Sequence, residues 1–178
     1  MTPVLRRALA AAVVVPALLA LGACKAEVSA GGGYDPDDLA AQVQAEQEKV
    51  TPDLDVTDPT CEDVDGNPSE GDTIDCSVSI DGVEAPYVVT LTAADDDGLK
   101  FHLEPAQAIV STDKVESGLE DQFTQQGFDV DVDCGGASVI VDDPGSVFLC
   151  TVAQDGVEQT KKVTVTIKDI DGNVGIDY

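Results

Sequence analysis

The sequence predicts an α+β fold of two similar modules, each an N-terminal helix packed on an antiparallel meander sheet of about four strands and stapled by a disulfide. Three observations lead there. The stretch CSVSIDGVE, Cys76 to Glu84, returns as CTVAQDGVE, Cys150 to Glu158. Each copy follows a segment with apolar residues at helical spacing and a preceding cysteine, Cys61 or Cys134. Around both copies apolar residues alternate with polar ones at period two between Asp-Gly pairs, the pattern of half-buried strands joined by tight turns.

The elements follow in order. Arg6 and Arg7 precede the apolar run Ala8 to Leu21, which Pro16 interrupts and which is too short for a permanent span of about 20 residues. It reads as an export signal, and the flanks of the arginine pair do not follow the twin-arginine pattern. Leu21-Gly22-Ala23-Cys24 has the form of a bacterial lipobox, in which small residues admit the chain to a narrow peptidase groove and the thiolate of Cys24 takes the lipid. Residues 1–23 are therefore expected to be a lipoprotein signal peptide and Cys24 the lipidation site. Burial of acyl chains at about 0.8 kcal/mol per CH₂ would hold the protein to the outer, extracytoplasmic face of the cell membrane. Residues 24–34, with three consecutive glycines, read as a flexible tether.

The first module is expected over residues 35–105. Asp35 offers an N-cap, Pro36 suits the first helical position, and Asp37 and Asp38 complement the helix dipole. Leu39, Val43 and Val50 mark one helix face, and Pro52 stops the helix at Thr51. A strand is expected around Leu54 and Val56, then the loop EDVDGNPSEGD, then a strand with Ile74, Cys76, Val78 and Ile80 on one face. After the Asp81-Gly82 turn, Val89 and Leu91 face the core with Thr90 and Thr92 opposite, and Leu99, Phe101 and Leu103 close the unit after DDDG.

The second module, residues 111–178, repeats this order. Asp113 and Glu116 are expected to cap a short helix with Val115, Leu119 and Phe123 on one face, ended by Gly127. Phe128, Val130, Val132 and Cys134 alternate as a first strand, Phe148, Cys150 and Val152 as a second, and Val163, Val165 and Ile167 as a third. DIDG leads to Val174, Ile176 and Tyr178, shifted by one relative to the first copy, which predicts a bulge or a different turn length. The helix should cover the apolar face of each sheet and leave the Thr-rich face to water.

With Cys24 assigned to lipid, Cys61, Cys76, Cys134 and Cys150 allow three pairings. Pairing within each copy, Cys61 with Cys76 and Cys134 with Cys150, preserves the repeat, and export to an oxidising compartment lets such bonds persist. There is no CxxC and no histidine besides His102, so no zinc site is expected.

Removing the signal removes both arginines and leaves seven lysines against thirty-five acids, a more negative balance than the −26 of the whole chain. Such a surface repels phosphate backbones and anionic headgroups, so nucleic acid is not an expected partner and the membrane is reached through the anchor. The absence of Trp and the small numbers of Tyr and Phe argue against a sugar-stacking platform.

The pattern C-[ST]-V-x-x-D-G-V-E, followed by V-T-[LV]-T and D-G, resembles domain-of-unknown-function family 4333, typical of exported lipoproteins of high-GC Gram-positive bacteria. Cys76, Val78, Asp81, Gly82 and Val89 carry the resemblance in one copy and Cys150, Thr151, Val152, Asp155, Gly156 and Val163 in the other. It covers Asp35 to Glu104 and Ser111 to Tyr178, and departs at Ser77 and at Pro59 before Cys61. The resemblance implies fold and location, with no activity and no cofactor. In outline the arrangement is also similar to tandem-lobed secreted inhibitors built from helix-plus-sheet repeats.

No catalytic residues are expected. His102 alternates out of phase with Phe101 and Leu103 and reads as a solvent-facing strand residue, far from the constellation a hydrolytic triad needs. Asp95, Asp97, Gly98 and Glu104 fall at the third, fifth, sixth and twelfth places of a calcium loop, but Ala93 and Lys100 stand where ligand and apolar residues belong. DDDG, DVDG and DIDG read as strand reversals. The expected function is that of a non-catalytic, lipid-anchored envelope protein that binds another protein or envelope component. The alternative is a cation-binding (calcium) or sensing lipoprotein. The loops EDVDGNPSEGD and GGASVIVDDPG, which differ between copies, are the first places to look for partner contacts.

Overall fold

Helix α1, Pro36–Val50, begins where the sequence requires: the Asp35 carboxylate accepts the Asp37 amide at 3.0 Å and Pro36 occupies the first turn. It ends at Thr51, whose amide donates to the Gln47 carbonyl. This computed structural model describes residues 28–30, 34–64, 66–95, 98–154, 156–158 and 162–177. The signal segment and Cys24 lie outside the described residues. The architecture is α+β, an N-terminal helix packed on antiparallel sheet with two disulfides.

The first sheet contains β1 (Val28–Ala30), β2 (Val56–Cys61), β3 (Thr73–Ile80), β4 (Val83–Asp95) and β5 (Gly98–Pro105), in the order β1-β5-β4-β3-β2. The stretch read as a tether thus contributes a strand, with Val28 opposite Phe101 on the β5 edge. Asp81 and Gly82 form a two-residue hairpin turn, both in the left-handed region at φ 48° and 83°. Asp81 also ties down the loop after α1, accepting the Asp55 amide on its carboxylate at 2.7 Å and donating its own amide to the Asp55 carbonyl. The register of β2 slips between Thr57 and Thr60, where Asp58 has φ 50° and Pro59 cannot donate. That bulge is tolerated because β2 is an edge strand. Leu39 and Val43 pack on Ile74, Val78, Val89 and Phe101 in one apolar cluster.

The second half holds β6 (Ala108–Ser111), α2 (Thr112–Gln125), β7 (Asp131–Asp133), β8 (Val139–Asp142), β9 (Val147–Gln154), β10 (Val157–Glu158), β11 (Val163–Ile167) and β12 (Val174–Asp177). Strand β9 pairs with β7, β10 and β11, and β11 with β12. The cap of α2 is Ser111 rather than the expected Asp113–Glu116 pair. Glu116 is instead used across the layer: its carboxylate accepts the Cys134 amide at 2.7 Å, and Glu120 accepts the Val132 amide at 3.1 Å. The helix thereby satisfies one amide of β7 and that of the residue just after it. At its other end Gly127, φ 87°, closes a Schellman motif, with Gly127 N donating to Thr124 O and Phe128 N to Phe123 O.

The strand expected from Phe128 to Cys134 is shorter, Asp131–Asp133, and Phe128 is exposed. Of the two expectations for the last hairpin, a different turn length is what it has, the connection running from Ile167 to Val174, whereas Asp95 pairs directly with Gly98 in the first sheet. The register of β11 with β12 is regular; the bulge falls in the first sheet, between Leu91 and Ala93.

GGASVIVDDPG is not wholly a loop. Val139–Asp142 form β8, which pairs with β6 as a separate two-stranded ribbon. Its faces are divided. Val139, Ile109 and Val141 pack on the cluster beneath the first sheet. Ala108, Val110 and Ile140 pack on the second cluster, with Leu119, Cys150, Val152 and Val165. A strand apolar on both faces reads as a continuous apolar run, Val139-Ile140-Val141, rather than an alternation.

Cys61 is bonded to Cys76 and Cys134 to Cys150, each pair with Cα atoms 4.0 Å apart. Cys61 and Cys76 stand directly opposite each other in the β2–β3 register.

Candidate binding surface

The repeated strand appears once as β3, TIDCSVSI, and once as β9, VFLCTVAQ. Aligned on Cys76 and Cys150, the two share Cys and Val in the inner row, with the partly buried Phe148 in place of the buried Ile74 and the exposed Gln154 in place of the buried Ile80. The outward rows differ in kind. Strand β3 turns the polar residues Thr73, Asp75, Ser77 and Ser79 outward, while β9 turns out Val147, Leu149, Thr151 and Ala153. Val147 is 62% exposed and Leu149 53%. Two large apolar side chains therefore stand in water where the other copy carries Thr and Asp.

Cross-strand register places their neighbours on the same face. Leu149 lies opposite Thr164, and Thr164 opposite Asp177; Val147 lies opposite Thr166, and Thr166 opposite Gly175. The stem of Lys168 crosses Gly175, where an added Cβ would stand 2.0 Å from Lys168 Cε. Farther along β9, Ala153 is flanked by Asp131 on β7 and Glu158 on β10, and Thr151 by Asp133. All three acids are exposed. The face thus has an apolar end and a strongly acidic end, with Lys168 and Asp177 beside the apolar end.

The other residues that the sequence singles out have settled places once the strands are seen. His102 is half-buried on β5, with Phe101 and Leu103 on the opposite face, and its Nε2 lies 3.1 Å from Glu104 Oε1. Glu104 sits six residues along an extended strand from Gly98, about 20 Å away at ~3.3 Å per residue, too far to close on the Asp95 end of a calcium loop that would begin at Ala93. Asp97 lies outside the described residues. Among the described residues, no three His, Cys, Asp or Glu side chains are grouped to hold a metal ion. DIDG is a turn in which the Asp169 carboxylate accepts from the Asn173 amide and side chain.

Two polar features have no counterpart among the sequence expectations. Gln47 occupies the buried stripe of α1, where its side-chain oxygen accepts from the Tyr87 hydroxyl and its side-chain nitrogen donates to Thr51 Oγ1 at 3.2 Å. Tyr34 donates its hydroxyl to the Glu62 carbonyl, and partial burial, then the charges of Asp63, Glu62 and Asp35, hold its pKa above the usual tyrosine value. The exposed pair on β9 did leave a signal: Val147-Phe148-Leu149-Cys150 is four apolar residues in succession where alternation was due.

Comparison of the chain with protein-family models, with curated proteins and with solved structures gave no match in any of the three.

Proposed function

We propose that the chain is a non-catalytic, lipid-anchored cell-envelope protein, held on the outer face of the cell membrane through Cys24, that binds another protein or envelope component through the outward face of its second sheet. The observation that carries this reading is the exposed Val147–Leu149 pair on β9, set against Thr73 and Asp75 at the matching positions of β3. Isolated exposed apolar residues are ordinary, but adjacent ones on a sheet face, in a chain that solves the same position with polar residues elsewhere, mark a surface that is covered in use. The lipobox supports the anchoring, and the acidic balance favours a partner other than nucleic acid.

The same reading takes the protein as two similar modules that resemble family 4333. Its support is the similar order of elements: α1 then β2, β3, β4 and β5, against α2 then β7, β9, β10 with β11, and β12, with β8 inserted between β7 and β9. In each, a disulfide joins the first strand region to the second.

A photo-crosslinking residue at position 149, introduced in the intact cell and followed by mass spectrometry, tests the binding function. A reproducible neighbour at 149 that is not captured from position 75 on β3 is the expected result, and capture of the same set from both positions would reject it. Metabolic labelling with a fatty-acid analogue checks the anchor: label on the wild type, none on Cys24→Ser.

A further inference from the structure

We propose that the outward face of the second sheet recognises an extended protein segment bearing apolar side chains at one end and cationic side chains at the other. This rests on the binding function proposed above and names the partner's chemistry. Val147 and Leu149 form the apolar end; Asp131, Asp133 and Glu158 surround Thr151 and Ala153 at the other. Leu149 and Ala153 are four residues apart on one strand, which sets the separation of the two ends at about 14 Å. A segment laid along β9 in extended conformation, with side chains facing the sheet at every second position, matches that separation with two apolar residues followed by two lysines or arginines.

Charge complementarity selects the occupant. Three acids lie at the Ala153 end of the row, while at the other end the single acid Asp177, across Thr164 from Leu149, is set against Lys168, which crosses Gly175 beside the row of Val147. The face is therefore electrically polarised along β9, and a bound segment has a preferred direction, its cations toward Ala153. An anionic partner meets three carboxylates there, and a second copy of this chain brings its own excess of acid to the contact. Exposed pairs contribute little each and are screened beyond about 10 Å at 0.1 M salt. The cationic end consequently sets direction and salt dependence, and the apolar end supplies most of the affinity.

The test uses the full-length lipoprotein in nonionic detergent and synthetic peptides. The probe is acetyl-Leu-Ser-Leu-Ser-Lys-Ser-Lys-amide; its controls replace both lysines with glutamate, or both leucines with serine. Binding is read by fluorescence anisotropy at two salt concentrations. The probe is expected to bind at least about tenfold tighter than either control. Val147→Thr with Leu149→Asp, the residues that β3 carries at these positions, is expected to weaken it about tenfold or more. Asp131→Asn with Glu158→Gln is expected to flatten the salt dependence while leaving the leucine contribution. Equal binding of probe and glutamate control overturns the proposal without any variant, as does binding that both variants leave unchanged, or self-association of the protein through position 149. If position 149 crosslinks in cells to a neighbour without such a segment, the partner chemistry is wrong and the binding function stands; if it crosslinks to nothing, both fall.

Discussion

Replacing Val139 with alanine tests the division of the β6–β8 ribbon between two apolar clusters. Val139 is 1% exposed and belongs to the cluster beneath the first sheet, although its strand lies between the two cysteines of the second repeat. The substitution removes two carbons worth about 0.8 kcal/mol each and leaves a small cavity, so the loss should be about 2 kcal/mol. For a chain of this size that corresponds to a fall in melting temperature of about 5 °C. Urea unfolding measures the total, and hydrogen exchange locates it. Amides of β4 and β5 should lose protection, because the cavity opens under the first sheet. Val132→Ala, taken from the other cluster, is the comparison. If Val139→Ala lowers protection in β9 and β11 while β4 and β5 keep their wild-type protection, the ribbon does not join the two cores and the packing described above is wrong.

Other consequences follow from individual contacts. Tyr87→Phe removes the hydroxyl that donates to the buried Gln47 oxygen and should cost about 1–3 kcal/mol in urea unfolding, with less than additive loss when combined with Gln47→Met; wild-type stability for Tyr87→Phe would refute the linkage. Replacing Cys134 and Cys150 together by alanine opens a loop of 16 residues and should cost about 3 kcal/mol, and non-reducing peptide mapping of the wild type should recover no bond between the two repeats. The pKa of Tyr34 is raised in the folded state, so its contribution is complete below the unfolded tyrosine pKa near 10 and is lost as pH climbs through the folded value. Stability should therefore fall above about pH 10 more steeply in the wild type than in Tyr34→Phe, and parallel curves for the two would exclude Tyr34 as the source.

Much of the local structure was legible because its causes are local. Asp35 and Pro36 start α1, Pro52 stops it, Gly127 ends α2 and Asp81-Gly82 turns β3 into β4, each through backbone constraints acting within a few residues. The disulfide pairing was legible through the repeat. Gln47 was not, since its place in the apolar stripe of α1 depends on Tyr87, forty residues away, supplying a donor. The cap of α2 was misplaced because Glu116 has the right spacing for a capping box and is drawn instead to the Cys134 amide.

The clearest division lies between two short runs. Val139-Ile140-Val141 and Val147-Phe148-Leu149-Cys150 are both unbroken apolar runs, with five residues between them in the chain. The sequence by itself placed the second run on a strand with Phe148 inward and left the first inside the loop GGASVIVDDPG, although each run carries apolar side chains for either face. Tertiary structure decided what each face meets. The first run is enclosed between two clusters, because the ribbon lies where both cores reach it. The second has a core on its inner side alone, so Phe148 is partly covered while Val147 and Leu149 remain in water. Periodicity records how many faces of a strand are apolar, but the covering of a face depends on elements distant in sequence. That difference separates a structural seam from an exposed apolar face.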